Sequence, residues 1–190
     1  MKAVRLMLAE ETKGLSILRR GELYALMAVE HAELDELLDK AAGKGGAIDT
    51  EAYQRFRERL LRHIRIEERI LLPMAERKHG LALAIAPRLR LDHGALAALL
   101  MLPPVNRAFR TIRAVLDAHN PLEEIESGVY EQCESLAGSE IDELLRQITT
   151  TPRVPASSWV DSTTVFDAAQ RVLARAGYNP ALLVPNDGDL

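Results

Sequence analysis

Cysteine is almost missing from this 190-residue chain, where Cys133 stands alone. A single thiol excludes an intramolecular disulfide and any thiolate cluster, so a metal site built here has only nitrogen and oxygen ligands to draw on. Cys133 itself reads as a small buried side chain on a helix. Aromatic residues make up 4% of the chain and the net charge is −4. Neither base stacking nor phosphate neutralisation is therefore on offer, and nucleic acid is not an expected partner. There is also no run of about 18 apolar residues, which argues against a membrane-spanning helix. The opening stretch Met1–Glu11 meets acid too early for a signal peptide, so the cytoplasm is the expected location.

What the chain does have is 47% hydrophobic and 27% charged residues. That is enough for one globular domain with a sizeable core. The apolar residues recur with helical period. Tyr24, Met27, His31, Leu34 and Leu38 form a first stripe, which stops at the glycines of 43–46. Asp49 or Thr50 caps a second helix, whose stripe Phe56, Leu60, His63, Glu67, Ile70, Met74 runs without interruption to His79 and Gly80. Pro87 suits the first turn of a third helix carrying Leu89, His93, Leu96 and Leu100, and Pro103 and Pro104 end it. A fourth helix is expected from about Val105 to Ala137, with Phe109, Ile112, Leu116, His119, Glu123, Glu126, Tyr130 and Cys133 on one rail. Pro121 conflicts with it. Either the helix kinks between His119 and Glu123, which the in-phase stripe afterwards favours, or Asn120 caps a new helix beginning at Pro121.

Short connections between these segments predict an all-α fold, an antiparallel up-down-up-down four-helix bundle over residues 20–137. Residues 1–20 are expected as a short flanking strand or helix. Residues 138–190 form a C-terminal helical tail: a short helix opened by Ser139, an extended linker over 149–158, and a helix from about Thr163 to Ala176 ended by Gly177.

Four of the five histidines, His31, His63, His93 and His119, fall on these stripes, and two are followed four residues later by Glu67 and Glu123. Residues four apart stack on one helix face, so each pair aims an imidazole and a carboxylate the same way. The stripes hold no lysine or arginine. A buried, unpaired carboxylate is costly, so the missing positive charge is a metal ion, or the glutamates are protonated and bonded to histidine. In a metal-free chain, burial is expected to raise the two carboxyl pKa values. Two ions suit six ligands from four helices better than one. Histidine with carboxylate favours iron, with manganese and zinc behind it. His79, beside Gly80, reads as a helix-terminal cation. Glu68 and Glu124 read as solvated or as outer hydrogen-bond partners, Glu126 as an inward ligand or proton carrier unless Pro121 turns it to water, and Tyr24 and Tyr130 as core packing.

The order His31, then His63-x-x-x-Glu67-Glu68 leading to Leu71-Leu72-Pro73, then Asp92-His93, then His119-x-x-x-Glu123-Glu124, resembles the haemerythrin-like cation-binding domain over roughly residues 20–137. The resemblance implies two iron ions with an oxo or hydroxo bridge in a non-haem di-iron centre. His31 and His63 would ligate one iron, His93 and His119 the other, and Glu67 and Glu123 would bridge them. The oxygen carriers of that family place a further histidine four residues after the one on the third helix, where this chain has Ala97. The expected function is a di-iron binding protein that engages oxygen, nitric oxide or peroxide, or handles iron, in sensing or stress protection. A di-iron oxidase or peroxidase, and a metal-free helical adaptor using residues 149–190, are the alternatives.

Overall fold

A computed structural model describes residues 21–43 and 47–184. The expected strand or helix over residues 1–20 lies outside the described residues. Those that are described form helices and connecting segments, with no β-strand among them, and no helix is long and apolar enough to cross a membrane.

Helix α1 spans Glu22–Ala42. Asp49 caps α2, Thr50–Ile66, its carboxylate accepting from the amide of Ala52 at 2.9 Å. This satisfies one of the orphan donors at a helix start. The chain then continues through one π-helical turn, Glu67–Leu71, into α3, Leu72–His79. Pro73 has no amide hydrogen to give back to Arg69, and the wider turn falls where that bond is missing. A π-turn inserts an extra residue and rotates everything after it. At the turn the stripe moves by one, with Leu71 fully buried where Ile70 was expected and Ile70 only half-buried, while Met74 is buried as expected. Gly80, at φ +83°, ends α3 in the left-handed conformation that favours glycine.

Helix α4, Ala86–Leu99, carries Pro87 in its first turn as expected. Helix α5, Asn106–Glu124, runs through Pro121 without ending or restarting there, which overturns the alternative of a new helix capped by Asn120. Pro121 and Asp117 are both exposed, so the carbonyl that the proline leaves unpaired lies on the solvent side. The break comes later. Ile125 leaves the helix, Ser127 adopts φ +61°, and Gly128 turns so tightly that a Cβ there would lie 2.5 Å from the Ile125 carbonyl oxygen and 2.6 Å from that of Glu123. Helix α6, Val129–Ala137, then resumes the apolar rail. Glu126 falls in the break and is exposed, which corrects its expected inward position.

The core forms two apolar clusters. Leu34, Leu38, Phe56, Leu60, Leu96, Leu99, Phe109 and Leu116 belong to one, and Leu23, Met27, Ile66, Leu71, Ala86, Leu89, Val129 and Tyr130 to the other. Each large apolar side chain so buried contributes about 1.5–3 kcal/mol. Every stripe changes cluster at its histidine: between Met27 and Leu34, between Leu60 and Ile66, between Leu89 and Leu96, and between Leu116 and Val129. A polar layer thus separates the two clusters.

The C-terminal residues pack against this core. A 3-10 turn, Gly138–Glu140, leads into α7, Ile141–Thr150, and Ser139 makes no side-chain cap. Residues 151–162 have no regular element. Ser162 caps α8, Thr163–Arg175. Leu144 and Ile148 join the second cluster, while Ala169, Leu173, Ala176 and Leu183 join the first. Arg57, 1% exposed, fastens the connection by donating to the carbonyls of Leu100 and Ser157. Most other side chains of residues 151–184 stay exposed or half-buried, with Ala169, Leu173, Ala176 and Leu183 as the buried anchors.

Candidate metal centre

All six side chains singled out in the sequence, His31, His63, Glu67, His93, His119 and Glu123, converge in the polar layer and are buried. They fall into two overlapping groups that could hold a metal ion: His31, His63, Glu67 and Glu123, and Glu67, His93, His119 and Glu123. Within each group, one ligand atom per residue lies within 4.8 Å of all the others. Glu67 presents Oε1 to His63 Nε2 at 3.2 Å and Oε2 to His93 Nε2 at 3.1 Å. Glu123 presents Oε2 to His31 Nε2 at 3.4 Å and Oε1 to His119 Nε2 at 3.3 Å. Each carboxylate is thus split between the groups, one oxygen to each side.

The donor atoms satisfy one another only in part. His31 Nε2 and His63 Nε2 lie 3.0 Å apart, and Glu67 Oε2, Glu123 Oε1 and His93 Nε2 have no hydrogen-bond partner. A buried polar atom left without a partner costs about 1–3 kcal/mol. Atoms this close that still fail hydrogen-bond geometry point toward shared centres rather than at each other, and a cation at each centre relieves the cost. The residues fit a metal ion.

Behind each imidazole stands a second carboxylate. His31 Nδ1 lies 2.5 Å from Glu124 Oε1 and His93 Nδ1 lies 2.7 Å from Glu68 Oε1. His119 Nδ1 is 3.5 Å from Asp92 Oδ2, and His63 Nδ1 is 4.0 Å from Glu30 Oε2. At His31 and His93 the carboxylate accepting from Nδ1–H fixes the tautomer and leaves the Nε2 lone pair facing inward, while Nδ1 of His63 and of His119 has an acid nearby but no hydrogen bond to it. For Glu68 and Glu124 the outer hydrogen-bonding reading therefore prevails over the solvated one. Glu30 and Asp92 went unread in the sequence, although a signal was there. Each of the four acids is adjacent in sequence to a ligand, about 100° round the helix, and so faces a neighbouring helix.

Three of these acids are themselves held by arginines, Glu68 by Arg90 at 3.3 Å and the other two by arginines that also reach the C-terminal segment. Arg62 donates to both oxygens of Glu30 at 3.0 and 3.2 Å, and to the carbonyls of Ile148 and Thr151. Arg88 donates to Asp92 at 3.1 Å and to the carbonyl of Ala176, while the Tyr178 hydroxyl donates to Asp92 Oδ1 at 2.9 Å. The C-terminal segment thereby braces both halves of the site.

Tyr130, expected as core packing, is fully buried with its hydroxyl inside the layer. It donates toward Glu67 Oε1 at 2.7 Å and Glu123 Oε2 at 2.9 Å, and lies 3.1 Å from His31 Nε2. Had α5 continued unbroken, Tyr130 would stand about 10 Å along the axis from Glu123. Tyr24 is half-buried against the second cluster, and His79 is exposed in the last turn of α3. Ala97 is exposed.

In the metal-free chain protons favour the His31, His93 and His119 imidazoles over the two carboxylates. Burial pushes the Glu67 carboxyl up, but His63 and His93 outweigh it and hold that carboxyl well below its ordinary value. Burial and the charge of Glu67 push Glu123 up, yet His119 and His31 bring it below. This corrects the expectation of raised carboxyl values. Burial opposes charging of His93, but Glu67 and Glu68 push it up to about 9. Burial is overcome likewise at His119, which Glu123 and Asp92 push up to about 10. Burial and both carboxylates drive the Tyr130 phenol well above its usual range.

The chain matches no protein-family model, no curated protein and no solved structure.

Proposed function

We propose that the chain is a non-haem di-iron binding protein of the haemerythrin-like kind, which engages oxygen, nitric oxide or peroxide, or handles iron, in the cytoplasm for sensing or stress protection. The observation that carries this reading is the splitting of Glu67 and Glu123, each with one oxygen toward either histidine pair. A single ion has no use for that arrangement, whereas a carboxylate-bridged pair requires it. The imidazole-carboxylate donor set favours iron. The up-down-up-down bundle that goes with the reading is supported by the order in which the stripes cross the two clusters. α1 and α4 pass from the second cluster to the first, and α2 and α5 with α6 pass from the first to the second.

Bound iron would supply an exchangeable position for a small ligand and electrons to share with it. The protein's part is to hold the pair. Glu67 and Glu123 would bridge, His31 with His63 and His93 with His119 would take one ion each, and Glu124 and Glu68, bonded to Nδ1 of His31 and His93, would keep those two Nε2 atoms aimed inward as ligands. The apolar clusters above and below exclude bulk water.

Metal analysis of the chain expressed in iron-replete medium tests this reading, with about two iron ions expected per chain. Glu67→Ala and Glu123→Ala should each lose at least one ion. Retention of both in either variant would sink the bridging assignment.

A further inference from the structure

The two halves of the site are related by a near-symmetry that one residue breaks. His31 with Glu124 matches His93 with Glu68, and His63 with Glu30 matches His119 with Asp92. The bridging glutamates match as well. Seven residues after Glu123 comes Tyr130, and seven after Glu67 comes Met74. Met74 packs in the second apolar cluster, whereas the Tyr130 hydroxyl stands within the layer.

The position of that oxygen is specific. Its three close polar neighbours, Glu67 Oε1, Glu123 Oε2 and His31 Nε2 at 2.7, 2.9 and 3.1 Å, are the atoms turned toward the His31–His63 side. Two ligand atoms that sit at right angles around a transition-metal ion, each at about 2.0–2.2 Å, are roughly 3 Å apart. Tyr130 Oη meets that spacing with all three. The phenol has one proton to place between two carboxylate oxygens, and once those oxygens bind an ion they are poorer acceptors.

We propose that Tyr130 is a further protein ligand, binding through its oxygen to the ion held by His31 and His63, and that small molecules accordingly bind at the ion held by His93 and His119. The proposal rests on the di-iron reading. On ligation the phenolic O–H bond breaks heterolytically, the oxygen keeps the electron pair and donates it to the ion, and the proton leaves to solvent, with no change in oxidation state. The first ion then has two imidazoles, two carboxylate oxygens, a phenolate and a solvent bridge, which fills an octahedron. The second lacks the phenolate and keeps one position open. Gly128 makes the asymmetry possible, since it permits the turn that brings Tyr130 back to the layer.

The test is resonance Raman and visible absorption of the iron(III)-loaded chain, with iron counted in the same sample. The expected result is about two irons per chain, with a phenolate-to-iron(III) charge-transfer band whose ring modes shift when the tyrosines carry ring deuterium. Tyr130→Phe should abolish the band while circular dichroism shows the fold retained, and Tyr24→Phe should keep it. Nitric oxide added to the reduced chain should be taken up to one equivalent per chain. Two irons without the band, or a band that survives in Tyr130→Phe, overturns the ligand assignment and leaves the di-iron reading standing. Uptake of two nitric oxide equivalents overturns the inequality of the two ions. A chain that binds no iron overturns both readings. Should Tyr130→Phe fail to fold, the isotope shift and the nitric oxide count on the unaltered chain still decide the matter.

Discussion

Raising the pH from about 7 to 9 should destabilise the metal-free chain steeply, because two buried imidazoles hold protons that their unfolded counterparts have given up. His93 is pushed up to about 9 and His119 to about 10, from an ordinary value of 6.5. A raised group contributes its full stability below the unfolded value and loses it as the pH climbs through the folded one. Between those limits each such group costs about 1.4 kcal/mol per pH unit, so two together cost about 2.7 kcal/mol per unit. Against the usual 5–15 kcal/mol of a domain, a single unit is a large loss. Glu67 and Glu123 are held below the ordinary carboxyl value of 4.5 and act in the opposite sense. Their contribution is present above that value and is lost as the pH falls through their folded-state values. The metal-free chain should therefore be most stable between roughly pH 4.5 and 6.5. Urea unfolding at closely spaced pH values, followed by circular dichroism, measures the slope. A flat profile between about pH 7 and 9 refutes the reasoning. So does an undiminished slope in a Glu67→Gln, Glu123→Gln double variant, which lacks the charges that keep the imidazoles protonated.

Gly128→Ala places a methyl against the carbonyl oxygens of Ile125 and Glu123, and thermal or urea unfolding should show a loss of about 1–3 kcal/mol. Tyr178→Phe removes the hydroxyl that donates to Asp92. It should cost about 1 kcal/mol and weaken metal retention in a chelator competition, whereas an unchanged competition curve would mean that Asp92 needs no support from the C-terminal segment. With Ala97 exposed and supplying no ligand, the reduced, iron-loaded chain should oxidise in air rather than form a lasting oxygen adduct. A reversible oxygenated spectrum stable for hours would contradict that.

The six inward-facing residues were legible because their spacing keeps to the helical period wherever the helices are regular. Legibility failed where the period changes. The π-turn at Glu67–Leu71 adds one residue, so a pattern read with constant period puts Ile70 inward in place of Leu71. Pro121 is the strongest local breaker in the fourth stripe, yet its solvent-facing side makes it tolerable. The actual break depends on a tight backbone approach at Gly128, which no periodicity shows. Tyr130 was hidden for the same reason. On an unbroken helix it lies two turns from Glu123 and reads as packing, and only the break brings its hydroxyl to the carboxylates. The outer acids were half-legible: Glu68 and Glu124 stand beside ligands in plain view, but their partners on other helices depend on how those helices pack.

The two arginine braces also set an order in time. The six clustered histidines and glutamates have been synthesised once Glu123 is made, but Arg62 finds its carbonyls only at Ile148 and Thr151, and Arg88 finds its own only at Ala176, with Tyr178 following. During synthesis the nascent chain thus passes through a stage in which those six residues exist while Arg62 and Arg88 still lack their C-terminal carbonyl partners and Asp92 lacks the Tyr178 hydroxyl. A metal captured at that stage meets loosely oriented imidazoles and can leave again, whereas one captured after Tyr178 has docked meets a set that no longer yields. On the di-iron reading, metal selection would then fall to the finished protein rather than to whichever ion the growing chain encounters first.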